Sequence, residues 1–243
     1  MGKPCKQWPL SSFGMIASLL ITCFFLYLPT LSGKSSIQLL ESQSTSNSNP
    51  KPIPFPNLSS MDESVRKQLQ YFQNTLQTLV QNPGTPSKQL AQTYGKLGNL
   101  YQTYNLLESA EACYRNALQL TPTNFRWPYY LALLYESQGN LEEMASHYRI
   151  ALSLQPNDLP SLLGLARSQL TQDLIEEAQK LFQQALQIET GTAPALVGMA
   201  EIAAFRRQFE KAVENYKKAL ELQPKASSLQ YPLAMSYRQL GKV

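Results

Sequence analysis

Residue types in the second half of this 243-residue chain return every 34 positions, and that spacing fixes what the chain can fold into. Ala117, Ala151, Ala185 and Ala219 keep the step, as do Leu118, Leu152, Leu186 and Leu220. So do the rings of Tyr114, Tyr148, Phe182 and Tyr216. Small residues repeat earlier in each unit at Gly98, Ala132, Ala166, Ala200 and Ala234. Pro122, Pro156 and Pro224 close the units, with Thr190 in the remaining slot. A fixed period of this length marks a stacked repeat array, in which each unit completes its core only against its neighbours. Such an array offers a surface for binding rather than a reaction centre.

Each unit reads as a helical hairpin. A helix opens at Thr85-Pro86, as cap and first residue, and runs to about Tyr104; a second covers Leu107 to Leu120 and stops at Pro122. Gly139-Asn140 breaks the second pair, and Asp173 and Arg207 hold the matching place later. Before the array, Val65, Leu69, Phe72, Leu76 and Leu79 form one apolar stripe, predicting a capping helix over Met61–Gln81 that ends at Asn82-Pro83-Gly84. Ser60 and Glu63 have capping-box spacing at its start.

These residues resemble the tetratricopeptide repeat (TPR) family. Tyr94, Leu97, Gly98, Tyr101, Ala110, Tyr114, Ala117 and Pro122 of the first unit nearly complete its pattern. Met144, Gln169, Ala203 and Thr190 depart from it. The resemblance covers units at about 91–124, 125–158, 159–192 and 193–226, with a half unit at 227–243, inside a repeat domain of 85–243 that follows a capping segment at 61–84. It implies an all-α, right-handed α-solenoid whose concave wall is built from the first helix of each pair.

The family geometry further implies a partner-binding groove lined by Asn99, Gln102, Arg126, Tyr129, Tyr130, Leu133, Leu163, Arg167, Leu170, Val197, Phe205, Tyr231 and Arg238, with Glu136 and Glu201 among them. Aromatic residues and arginine are frequent binding hot spots. The expected ligand is an extended or helical protein segment with apolar anchors and some acidic character. The bland alternative is that part of the set only packs between adjacent first helices. Arg167 is hardest to explain as packing. Family members that grip a C-terminal carboxylate use Lys and Asn at places held here by Gly95, Asn99, Tyr130, Pro160 and Gly164; only Asn99 fits, so that mode is rejected.

Charge narrows the partners. Four lysines against one glutamate give residues 1–60 a net +3, leaving +1 of the total +4 for the rest. A near-neutral array lacks the basic footprint that nucleic acid requires. Cys5, Cys23 and Cys113 fall in separate segments and suggest neither a disulfide framework nor a metal site. No Gly-rich phosphate loop or metal-ligand cluster occurs, and no cofactor is expected. The only histidine, His147, is expected on the outer surface of a second helix, and no enzymatic role is expected.

Residues 13–31 are almost wholly apolar and follow Lys3 and Lys6. They are long enough for a single membrane span with the N-terminus cytoplasmic and the repeats outside the cytoplasm. The alternative is a signal sequence cut after Ser32, which would release a secreted or periplasmic protein. Residues 34–60, rich in Ser, Asn and Pro, read as a disordered tether. At the far end, Leu233, Tyr237 and Leu240 keep apolar character and Pro232 interrupts the last helix, suggesting self-association through this edge. The functional expectation is a membrane-tethered interaction scaffold in assembly or maturation of an extracytoplasmic complex. A docking or regulatory subunit of a separate enzyme is the alternative.

Overall fold

A computed structural model describes residues 50–242. The apolar segment 13–31 and most of the tether lie outside the described residues. No helix among those described is long and apolar enough to cross a membrane.

A helix α1 (Glu63–Gln81) precedes four hairpins: α2 (Ser87–Thr103) with α3 (Leu107–Leu120), α4 (Arg126–Ser137) with α5 (Leu141–Leu154), α6 (Leu159–Thr171) with α7 (Ile175–Ile188), and α8 (Ala193–Phe205) with α9 (Phe209–Leu222). A 3₁₀ turn, Ser227–Leu229, leads into α10 (Gln230–Gln239). Every helix packs on the one before and the one after, and α6 also touches α8. This is the nearest-neighbour order of a solenoid.

The repeating residues build its core. Ala117, Ala151, Ala185 and Ala219 are fully buried, and the rings of Tyr114, Tyr148, Phe182 and Tyr216 are almost so. Gly98 admits Tyr114: a Cβ there would lie 2.7 Å from Tyr114 Cε1. One place in each first helix faces the ring of the preceding second helix. At that place Gly164 meets Tyr148 and Gly198 meets Phe182, whereas Tyr130 stacks its own ring on Tyr114, centroids 5.4 Å apart.

The hairpin turns share one conformation. Asn105, Gly139, Asp173, Arg207 and Gly241, 34 apart, all have φ between 58° and 71°. The residue after each donates its N–H to a first-helix carbonyl five residues back: Leu106 to Tyr101 at 2.8 Å, Asn140 to Tyr135 at 3.0 Å, Leu174 to Gln169 at 2.9 Å, Gln208 to Ala203 at 2.8 Å and Lys242 to Tyr237 at 3.2 Å. This left-handed C-terminal motif satisfies helix-end carbonyls and reverses the chain in few residues.

Helix capping differs from expectation at two starts. Pro86, not Thr85, is the N-cap of α2, which begins at Ser87. The Ser60/Glu63 capping box does not form; Asp62 is the N-cap of α1 and makes no side-chain bond. The cap that does form is Asp158, whose carboxylate accepts the Ser161 backbone N–H at 3.0 Å and hydroxyl at 2.6 Å. Of the two effects expected of Pro232, a kink or a shifted helix start, the structure has the second. The start shifts to Gln230, so the proline falls in the first turn of α10, where its missing N–H leaves no helical bond unmade.

The larger difference concerns the Pro-rich end of the tether, which packs against α3. Asn116, 1% exposed, accepts the Lys51 N–H at 2.8 Å and donates its side-chain amide to the Lys51 carbonyl at 2.8 Å. Ser109 donates its hydroxyl to the Pro54 carbonyl at 2.7 Å, and Ile53 enters the core. Composition misses this because the contacts are made across 55 and 65 residues of sequence. Burying Ile53 contributes about 1.5–3 kcal/mol, and the hydrogen bonds about 0.5–1.5 kcal/mol each. Ordering the backbone costs about 1–2 kcal/mol per residue, less at prolines, whose φ is already fixed. The two sides cancel to within a few kcal/mol, so the strap is held weakly.

Candidate partner-binding groove

The first helices α2, α4, α6, α8 and α10 form the wall on which a groove was expected. None of the expected lining residues is buried. Asn99, Arg126, Arg167, Phe205, Tyr231 and Arg238 are exposed, with Phe205 at 66% and Tyr231 at 73%. Gln102, Tyr129, Tyr130, Leu133, Leu163, Leu170 and Val197 are half-buried. All of the latter group except Gln102 pack against core clusters.

The N-terminal half of the wall is aromatic. Tyr130 stacks on Tyr114 and lies 6.2 Å from the Trp127 ring, while Tyr129 lies 5.7 Å from Tyr130 and 6.2 Å from Tyr148. Two of these rings come from second helices and reach through to the wall. The Tyr114 hydroxyl lies 2.6 Å from Asn99 Oδ1 and 2.8 Å from Gln102 Oε1, donating to one of them at a time. The Tyr148 hydroxyl donates to Glu136 at 3.2 Å. Burial raises both phenols above their ordinary range, so both stay protonated donors. Position by position, Gln102 and Glu136 correspond to Leu170 in the third unit, where the facing ring is Phe182 and carries no hydroxyl.

The C-terminal half is more open. Arg167, Leu170, Val197 and Glu201 line one hollow of about 350 Å³, together with Phe182, Gly198 and Leu229. Enclosure by the wall pushes the Glu201 carboxyl up, and the nearby Arg167 opposes that shift. Tyr231 borders a second hollow of about 440 Å³ with Ala204, Arg207, Phe209, Tyr216 and Met235. The structure therefore brings Arg167, Leu170 and Val197 into one cavity, while Tyr129 and Tyr130 belong to the aromatic cluster of the N-terminal half. Asn99 is already engaged by Tyr114.

His147 differs from its expected surface position. It is half-buried and stacked on Tyr135, with ring centroids 5.4 Å apart and planes 15° from parallel. Its Nδ1 is buried without a protein hydrogen-bond partner. Burial, with a contribution from Arg115, depresses its pKa to about 4, so it is neutral near pH 7. Tyr135 in turn donates to Glu111 at 2.8 Å and accepts from Arg115 at 2.7 Å. Burial works against the charged Glu111, but the bonds from Arg115 and Tyr135 outweigh it and hold that carboxyl below its usual range. No group of three or more potential metal ligands occurs among the described residues.

Leu233, Tyr237 and Leu240 at the C-terminal edge are half-buried. The residues sequence reasoning missed are Ser109 and Asn116. Their signal was a departure from the repeat. The matching places hold Glu143, Glu177 and Lys211, and Ile150, Gln184 and Lys218.

Residues 96–158 match one tetratricopeptide repeat family model, and residues 193–225 match a second. No curated protein matches. Among solved structures the chain is similar to a tetratricopeptide repeat protein from Parabacteroides merdae ATCC 43184, at 18% identity and TM-score 0.60, over 74% of this chain and 73% of that one. It is similar to MamA at 18% identity and TM-score 0.58, over 63% and 83%. It is also similar to YrrB, described as a TPR protein with an unusual peptide-binding site, at 20% identity and TM-score 0.56, over 76% and 87%. At these identities the likeness establishes the fold, an all-helical TPR solenoid.

Proposed function

We propose that this array of tetratricopeptide repeats is a membrane-tethered scaffold that holds an extended or helical protein segment against its first-helix wall, outside the cytoplasm, during assembly or maturation of a complex. TPR folds serve generally as protein-interaction scaffolds. The observation that carries the groove reading is the exposure of Arg167 and Tyr231 on that wall, each bordering a hollow, with Phe205 exposed as well. Large aromatic side chains left in water contribute nothing to a core, and Tyr and Arg are the types that concentrate binding energy at interfaces. The apolar run at 13–31, preceded by lysines, supports the membrane tether.

The test is site-specific photo-crosslinking of the full chain in its native membranes. Crosslinkers at Arg167 and Tyr231 are compared with one at Lys180, an exposed residue on a second helix. A common partner should be captured from the wall positions and lost on Arg167→Glu combined with Phe205→Ala. Equal capture from Lys180 would remove the groove from the account. Recovery of the full chain in the carbonate-washed membrane fraction supports the anchor; a mature N-terminus near Gly33 replaces it with secretion.

A further inference from the structure

We propose that α3 carries a second binding slot, for extended proline-rich segments, which residues 51–55 occupy in cis and from which a like segment of another chain displaces them. The slot is distinct from the groove. Ser109 and Asn116 are seven residues apart and share one face of α3. Tyr114, two residues before Asn116, points some 200° around the helix, toward the groove residues Asn99 and Gln102. The strap and the groove thus use opposite sides of the same helix.

Recognition is through the backbone. Asn116 reads both the N–H and the carbonyl of Lys51, and Ser109 reads the Pro54 carbonyl. Pro52 and Pro54 bring no N–H that would need a partner at the surface. The one side chain the slot buries is Ile53, 9% exposed. Any segment with an aliphatic residue between prolines presents the same pattern. Polyproline-like segments also lose little entropy on docking, which is why such grooves select them.

The strap fills its slot only in part. A hollow of about 240 Å³ remains beside Pro52 and Pro54, bordered by Glu108, Glu111 and Arg115. Another of about 440 Å³ lies along Pro54, Phe55 and Pro56 at the Asn105–Ser109 turn, and Phe55 is 68% exposed. The near-cancellation of holding and ordering energies makes release easy. The Ser109/Asn116 pair belongs to the first unit alone, so the slot is a local feature of the chain and not a by-product of repeat packing.

The test uses the full chain and a fluorescein-labelled peptide of residues 49–58. Ile53→Asp empties the slot, and Pro52→Gly/Pro54→Gly loosens the strap without touching the core. Release is read as loss of hydrogen-exchange protection at the Lys51 amide. Fluorescence anisotropy should show the peptide binding either released variant at least tenfold more tightly than the wild-type chain. Asn116→Ala added to the released chain should abolish that binding, as should Ile53→Asp in the peptide. Failure of the peptide to bind both released variants, with helix content unchanged and Lys51 exchanging freely, would overturn the proposal. So would binding that survives Asn116→Ala but is lost on Arg167→Glu, because the peptide would then occupy the groove.

Discussion

Replacing Gly164 by alanine tests the seating of one ring against the next unit. Alanine in place of glycine inside a helix gains about 1 kcal/mol from propensity, so the change stabilises wherever space exists. At Gly164 there is none. The new Cβ would lie 2.6 Å from Tyr148 Cε2 and nearer still to Cζ, whereas ordinary contact begins at 3.4 Å. Tyr148 is 1% exposed and its hydroxyl is bonded to Glu136, so the ring has nowhere to swing. Overpacking of this kind costs about 1–3 kcal/mol, and three short contacts place it in the upper part of that range. The expected net loss is about 1–2 kcal/mol, or roughly 3–6 °C in Tm for a domain of this size. Far-UV circular dichroism melts would read it. Gly191→Ala is the control, since its Cβ would meet only Leu222 at 3.8 Å; it should stay within about 0.5 kcal/mol of wild type. Tyr148→Leu should remove most of the Gly164→Ala penalty, with a coupling of at least about 0.5 kcal/mol. A Gly164→Ala protein that melts at or above wild type, or a cycle with no coupling, would refute the contact and with it the ring-on-glycine stacking of the middle units.

Arg207→Gly should raise stability by about 0.5 kcal/mol in urea unfolding, since relief of a left-handed side chain exceeds the added freedom of the unfolded chain; Gly139→Ala should lower it by about 1 kcal/mol. His147 has a folded pKa of about 4 against an ordinary 6.5, so the unfolded chain binds the extra proton between those values. Stability should therefore be complete above pH 6.5 and fall toward pH 4, by up to about 3 kcal/mol from this group; His147→Leu should flatten that limb of the pH–stability curve, and an unchanged slope would contradict the burial. The Cys113 thiol is fully buried and its pKa is pushed up by burial. In a Cys5→Ser/Cys23→Ser background it should react with a thiol reagent only as fast as the array opens, accelerating with urea.

Much of this fold is written in the periodic positions. The Leu107–Leu120 boundaries match their expected limits because period, proline and turn all agree there. The breaks at Gly139, Asp173 and Arg207 could be placed for the same reason, although their common φ shows only in the structure. Other features resist reading because they depend on distant partners. The Pro-rich strap reads as linker on composition alone; its order comes from Asn116 and Ser109, far along the chain. His147 falls on the expected outer side of its helix and reads as surface, yet Tyr135 of the preceding helix covers it. Along the first-helix wall the sequence does not show which side chains are spent on packing: Tyr130 stacks on Tyr114, while Tyr231, a unit-to-unit match for Tyr129, stands in water.

The phenols of Tyr114 and Tyr148 tie the two layers of the array together. Each ring belongs to the outer layer, but its proton rests on an amide or carboxylate of the inner one. A guest that drew Glu136 toward itself would take that acceptor from Tyr148, whereas Tyr114 would still have Gln102 if Asn99 were drawn away. Occupancy of the inner surface at Glu136 would thereby be felt one helix deeper, through a single atom, without any hinge having to move.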